Sequence, residues 1–370
     1  MGNPVFQAYI LRKYGKEGND MPRKILILGA SYGSLLGTKL LMAGHDVTLV
    51  CRAATAELFN TEGSEVRIKL RDEDEHRAFK SDDLPGTLDA MEPAQVEPGA
   101  YDLVVLAMSE PQYAGAEVRA LLTKVAHAKV PCLSLMNMPP MPYLKRITGL
   151  DADKLAACFT SLEGWRDFEP GLVSLCSPDP QAFRPPETGG NVLHVGLPTN
   201  FKAAVFESAA HNEMLRELEA DIEAVRVDGK DVPVKLRVYD SLFVPFAKWA
   251  MLLTGNYRAV QSVGVRPIKD AVHGDIELSR SIYQSVTDLV IKLGATPDSQ
   301  VPFEKYAKAA EGLLKPSSAA RAIDGGAQQI ERVDLLVQLI DDQLGMSNPA
   351  IDEVVTTVTT RLAGNRQAAA

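Results

Sequence analysis

A chain of 370 residues is long for a single hydrophobic core, so two domains are the expectation. With 46% apolar and 24% charged residues it has the make-up of a soluble globular protein, and a formal charge of −9 leaves no basic footprint for nucleic acid. No apolar run approaches the roughly 18 residues of a membrane helix. Residues 1–20 lack the cleavage site of a secretory signal, so a cytoplasmic address is the default.

Residues 1–20 read as an extension, since the fold can begin at Met21. The stretch 24–52, KILILGASYGSLLGTKLLMAGHDVTLVCR, then reads as strand, phosphate loop, helix and strand, the opening unit of a dinucleotide-binding domain. The apolar run 24–28 has the composition of a strand buried in a parallel sheet, and Gly29 follows it where the chain turns into a helix. Without a side chain, glycine lets the backbone N–H groups of Ser31, Tyr32 and Gly33 approach a pyrophosphate at the positive end of that helix. The loop departs from G-x-G-x-x-G: Gly29-Ala-Ser-Tyr-Gly33 is one residue shorter and has no middle glycine.

A helix at 53–60 and a strand at 65–70 with alternating polarity come next. The segment 71–99, rich in Asp, Glu, Pro and Gly, reads as a solvated surface insertion. A buried strand at 101–108 leads to Ser109-Glu110-Pro111, a helix at 114–126 and a strand at 130–137 ending on Asn137. Ligands of open α/β sheets gather beyond the carboxyl ends of the strands, which makes Ser109, Glu110 and Asn137 candidate contacts. Strand-like runs at 155–161, 172–176 and 191–196, a helix at 203–225 and a last strand at 225–234 bring the first domain to a boundary near Pro233. Helices then follow at 236–255, 275–293, 302–314, 318–344 and 348–363, with no further strands. The four cysteines, Cys51, Cys132, Cys158 and Cys176, share no ligand spacing with the six histidines, so structural thiols and no metal site are expected.

In the helical half, 247–260 reads AKWAMLLTGNYRAV and 279–295 reads SRSIYQSVTDLVIKLGA. Together with the glycine unit and Asn137 after a strand, these resemble the ketopantoate reductases over most of 21–345. The resemblance implies an α/β fold: a Rossmann-type domain with a mostly parallel sheet at 21–235 and an all-α domain of the 6-phosphogluconate dehydrogenase C-terminal type at 236–370. It also implies a cleft between them where NADPH gives hydride to a 2-oxo acid, as in pantothenate biosynthesis, and a homodimer through the helical domain.

By the same resemblance Lys248 is the general acid: an ammonium can stabilise the charge growing on a carbonyl oxygen and protonate it. Its apolar neighbours, FVPFAKWAMLL, make a simply solvated lysine the weaker alternative. Asn256, eight residues on and on the same drifting helical stripe, matches a substrate-binding asparagine, with a Gly255-Asn256 helix cap as the alternative. Asn137 matches the asparagine that approaches nicotinamide and lysine. Arg52 stands where the family meets the 2′-phosphate, and no acidic residue there points to NAD, so NADP(H) is the expected cofactor. Ser318 matches a serine that binds the substrate carboxylate, and Glu331 is nearest to a glutamate that holds the pantoyl hydroxyl.

The chain departs from the family at Met138 for glycine, Leu252 for asparagine and Ser109 for lysine. These losses argue against ketopantoate itself, and a larger or more apolar 2-oxo acid, or a related carbonyl or imine, is as reasonable a substrate. An opine-type dehydrogenase with His273 and Asp275, and a non-catalytic NADP-binding protein, are the alternatives.

Overall fold

The computed structural model describes residues 21–369, so the extension expected at 1–20 lies outside them. The described chain forms two compact units. One holds 21–108, 115–136 and 164–240; the other holds 109–114, 137–163 and the residues from 241 onward.

The first unit contains all the named strands: β1 (Lys24–Leu28), β2 (Asp46–Val50), β3 (Glu65–Lys69), β4 (His76–Lys80), β5 (Leu88–Met91), β6 (Leu103–Leu106), β7 (Cys132–Leu135), β8 (Val173–Ser177), β9 (Gln181–Phe183), β10 (Val192–Leu197), β11 (Phe201–Ala204), β12 (Arg226–Val227), β13 (Lys230–Asp231) and β14 (Leu236–Tyr239). Eight of them build one sheet in the order β14-β11-β8-β7-β6-β1-β2-β5, parallel throughout except between β8 and β11. The β1 run is continuous because the strand is covered on both faces: Ile25 to Leu28 are all buried. Helix Tyr32–Met42 links β1 to β2. A second sheet runs β4-β3-β10-β9, and β12 pairs with β13 in a hairpin.

Beneath that hairpin the fully buried Lys39 donates to the carbonyls of Val232 (3.2 Å) and Pro233 (3.0 Å). Burial pushes its amine well below the usual lysine range. The next residue, Val234, has φ +66°, uncommon for a β-branched side chain, so the lysine clamps a strained turn.

Several expectations need correction. The acidic segment 71–99 is not merely a surface insertion, since it supplies β4 and the sheet edge β5. Each of these short strands buries one residue, Phe79 or Ala90, so neither needs many large apolar side chains. The expected strand at 155–161 is a 3₁₀ segment, Ala152–Cys158, with no β-branched residue. The 203–225 helix begins only at Ala209, after β11. The helix expected from 236 begins instead as β14, where Leu236 and Val238 are buried and alternate with Arg237 and Tyr239; the division between units accordingly follows Asp240. The 318–344 helix is two, Ser318–Asp324 and Val333–Gln343, broken after Gly325 and Gly326, the latter at φ +88°.

The second unit is helical. One long amphipathic helix, Ile276–Leu293, is capped by the Asp275 carboxylate on Leu278 N–H and stops at Gly294 with φ +129°. It buries Ile282, Tyr283, Val286, Leu289 and Val290. Among the described residues no helix is long and apolar enough to cross a membrane.

Candidate functional site

In the first unit the glycine loop is dictated by space. Gly29 has φ +108°, and a Cβ there would lie 2.7 Å from the Ala107 carbonyl oxygen and from Met108 Cγ. A Cβ on Gly33 would meet Ile27 Cγ2 at 2.6 Å, and one on Gly37 would stand 3.3 Å from Val47 Cγ1. Gly29 thus makes the tight turn, while Gly33 and Gly37 let the helix lie close on the sheet. These are two of the three tasks of a dinucleotide loop; the third, close backbone approach to phosphates, would fall to the amides of Ser31, Tyr32 and Gly33. Ser31 is exposed and precedes the helix, where its side chain caps nothing, and Tyr32 opens the first turn. This cradle fits a pyrophosphate at a helix N-terminus. Arg52, exposed, lies two residues beyond β2 and precedes helix Ala53–Glu62, where two N–H groups use its carbonyl and leave its side chain outward.

The second unit gathers chemistry from three distant segments. Asn137 Nδ2 donates to Glu331 Oε2 (3.4 Å), and the backbone N–H of Glu110 donates to Glu331 Oε1 (3.3 Å). Glu110 is itself buried, and its carboxylate accepts from Thr160 N–H (2.9 Å) and Thr160 Oγ1 (2.8 Å). The backbone of the site is pinned by two aromatic side chains: Trp249 Nε1 donates to the Asn137 carbonyl (3.2 Å), and Tyr257 Oη donates to the Glu331 carbonyl (2.6 Å). Trp249 is fully buried and stacks on Phe246 with centroids 4.0 Å apart, which fixes the turn that carries Lys248.

Burial pushes the Glu331 carboxyl up to about 7, aided by the nearby Glu110 charge and opposed by its two hydrogen bonds and by Lys248. Burial likewise raises Glu110, against the donors from Thr160 and Ser161. Lys248 is half-buried on helix Ala247–Met251 and within electrostatic reach of Glu331. Among the described residues, Asn137 Oδ1 and Thr254 Oγ1 are buried without a hydrogen-bond partner, which leaves both open to a ligand.

The structure brings Lys248, Asn137 and Glu331 together and leaves Asn256 nearby in sequence but on a different backbone. Residues Leu252–Tyr257 form a π-helical turn, so the α-helical stripe from Lys248 does not run to Asn256. Nor is Gly255-Asn256 a helix cap: Gly255 lies within the turn, where a Cβ would meet Tyr306 Oη at 2.1 Å. Ser318 is exposed on the first turn of its helix; its neighbour Ser317 is the buried one, capping Ala320 N–H and donating to the Asn256 carbonyl at 2.7 Å. Ser109 is exposed, with its amide and hydroxyl both donating to Gln112 Oε1 at 3.0 Å. The opine pair is spent on structure: Asp275 caps its helix and His273 Nε2 lies 2.9 Å from the Ala307 carbonyl. All four cysteines are free thiols, and burial raises each of Cys51, Cys132 and Cys158.

Sequence reasoning gave Glu110 a place but no role, and it missed Trp249, Tyr257, Thr160, Ser317 and Arg184. A glutamate directly following a buried strand was the one local signal available; the others become visible only through their tertiary bonds.

Residues 25–137 match the ketopantoate reductase PanE/ApbA family. No curated protein matches the sequence. Among solved structures, the 2-dehydropantoate 2-reductase from Methylococcus capsulatus is 15% identical with a TM-score of 0.65, over 92% of this chain and 97% of its own. A D-mandelate dehydrogenase with NADH and anilino(oxo)acetate is 13% identical with a TM-score of 0.62, over 93% and 99%. The dimeric ketopantoate reductase from Staphylococcus aureus is 12% identical with a TM-score of 0.60, over 92% and 99%. The match to the ketopantoate reductase PanE/ApbA family thus covers residues 25–137, and the chain shares the fold of these solved structures along more than nine-tenths of its length.

Proposed function

We propose that the protein is an NADPH-dependent reductase that delivers hydride to the carbonyl of a 2-oxo acid, with Lys248 as general acid. The observation that carries this reading is the cluster of Lys248, Asn137 and Glu331, held in one unit by the bonds of Trp249, Tyr257 and Glu110. NADPH, when bound, supplies the hydride. The amides of Ser31, Tyr32 and Gly33 would hold its pyrophosphate, and Arg52 its 2′-phosphate.

Lys248 stabilises the negative charge developing on the carbonyl oxygen and gives it a proton. Asn137, its backbone fixed by Trp249, offers its unpartnered Oδ1 to a donor on the cofactor or the substrate. Glu331, half-protonated at about pH 7, presents an O–H below that pH and avoids repelling an anionic acid. Asn256 and Ser318 complete the substrate contacts in this reading.

The substrate is a 2-oxo acid bulkier or more apolar than ketopantoate, because Leu252 and Met138 replace polar or small residues. The mandelate dehydrogenase, described with anilino(oxo)acetate, supports an aryl-bearing acid. A homodimer through the helical unit belongs to the same reading, supported by the dimeric Staphylococcus aureus relative.

Oxidation of NADPH and NADH is to be followed with ketopantoate, branched aliphatic and aryl 2-oxo acids. Turnover is expected with NADPH and an apolar acid, and Lys248→Ala should lower it about 10²- to 10⁴-fold with NADPH binding intact. Near-normal turnover in that variant sinks the assignment of the acid. Tight NADPH binding without turnover on any acid favours a non-catalytic binding protein.

A further inference from the structure

The glycine loop is touched by a cation that has no carboxylate beside it among the described residues. Arg184, half-buried just after β9, donates from Nη2 to the Ala30 carbonyl (2.6 Å) and from Nη1 to the Gly190 carbonyl. Its guanidinium stands 6.0 Å from the centroid of the Phe59 ring. The Ala30 carbonyl also accepts from Ser34 Oγ, so the loop oxygen is held by two donors.

Other arginines of this unit meet carboxylates: Arg77 pairs with Glu73 and Asp228, Arg216 with Glu219 and Asp240, Arg226 with Asp231. Arg184 meets none among the described residues, and burial by itself lowers its pKa. A partly desolvated cation at the loop that opens helix Tyr32–Met42 is unfavourable without an anion, because the helix end is already positive. A phosphate group reverses that sign and suits the guanidinium fork.

We propose that Arg184 is a phosphate-binding residue of the glycine loop, taking the pyrophosphate of the nicotinamide dinucleotide and compensating for the missing middle glycine. The pyrophosphate is favoured over the 2′-phosphate because Arg184 is anchored on the loop residue Ala30, whereas Arg52 stands two residues beyond β2. The inference rests on the dinucleotide reading of the loop.

The test is calorimetric titration of the full chain with NADPH and with NADH, comparing wild type, Arg184→Ala and Arg184→Gln. Glutamine keeps a donor for the Ala30 carbonyl and drops the charge, so it separates phosphate binding from pinning of the loop. Both variants are expected to bind both dinucleotides about 10- to 100-fold more weakly. Melting curves without dinucleotide establish that Arg184→Gln is folded. Wild-type affinity in Arg184→Gln, or a loss confined to NADPH, overturns the proposal. A wild-type protein that binds neither dinucleotide brings down the loop reading itself, and Arg184 with it.

Discussion

The glycine loop and the carboxylate cluster are two ways of building a site. The loop is local: 24–52 contains its strand, turn and helix, and its key residues matter because they lack side chains. The cluster is non-local. Glu110, Asn137, Thr160, Lys248, Tyr257 and Glu331 arrive from segments up to more than 200 residues apart; Glu110, Asn137, Thr160, Tyr257 and Glu331 are joined by hydrogen bonds between segments, and Lys248 acts on Glu331 through its charge. Substitution in the loop should therefore act mainly through backbone geometry, and substitution in the cluster through charge and proton affinity.

Gly29→Ala presses hardest on the geometric half. Alanine at φ +108° with its Cβ against the Ala107 carbonyl forces backbone movement, and we expect a loss of about 4 kcal/mol in urea unfolding together with loss of dinucleotide binding. A variant as stable as wild type breaks the view that space fixes this loop.

Glu331→Gln tests the electrostatic half. The folded pKa, about 7, lies above the unfolded value of about 4.3, so the folded protein keeps a proton that the unfolded chain releases. The stability from this group is fully present below about pH 4 and is lost as pH rises through about 7. The wild type should thus lose about 3 kcal/mol more than Glu331→Gln across that window, read from urea midpoints. Asp341, raised to about 6 by burial and by Asp342 and Asp352, titrates with the same sign in both proteins and cancels in the difference. Kinetically, KM for the acid should rise above pH 7 in the wild type and stay flat in the variant. Parallel curves would separate Glu331 from substrate recognition.

The smallest effect distinguishes neighbours. Ser317→Ala removes a helix cap and the bond to the Asn256 carbonyl and should cost about 1 kcal/mol in thermal melts, whereas Ser318→Ala leaves stability within about 0.5 kcal/mol and raises KM. Equal melting temperatures for the two would remove the structural distinction between them.

Much of the first unit was legible because its strands are short apolar runs and its turns carry glycine. Two of the misreadings share one cause. β5 and β14 lie at the two edges of the sheet, where few buried side chains suffice and pairing with a distant strand decides the conformation. The sequence reading also ran a regular α-helix through Leu252–Tyr257, where the packing of Gly255 against Tyr306 and Ile268 coincides with a π-turn.

By itself, the amino-acid sequence determined the parallel-sheet unit, the glycine turn and the helical second half, because periodicity, glycine placement and strand ends are properties of neighbouring residues; a strand end also marked Asn137 as a candidate, whereas Lys248 and Arg52 became candidates through the resemblance to a family. Only the tertiary structure decided that Glu331 shares bonds with Asn137 and Glu110, that Ser317 rather than Ser318 supports Asn256, and that Arg184 reaches the glycine loop. The proton affinity of Glu331 depends on burial and on charges brought from elsewhere in the chain, and no local pattern encodes either.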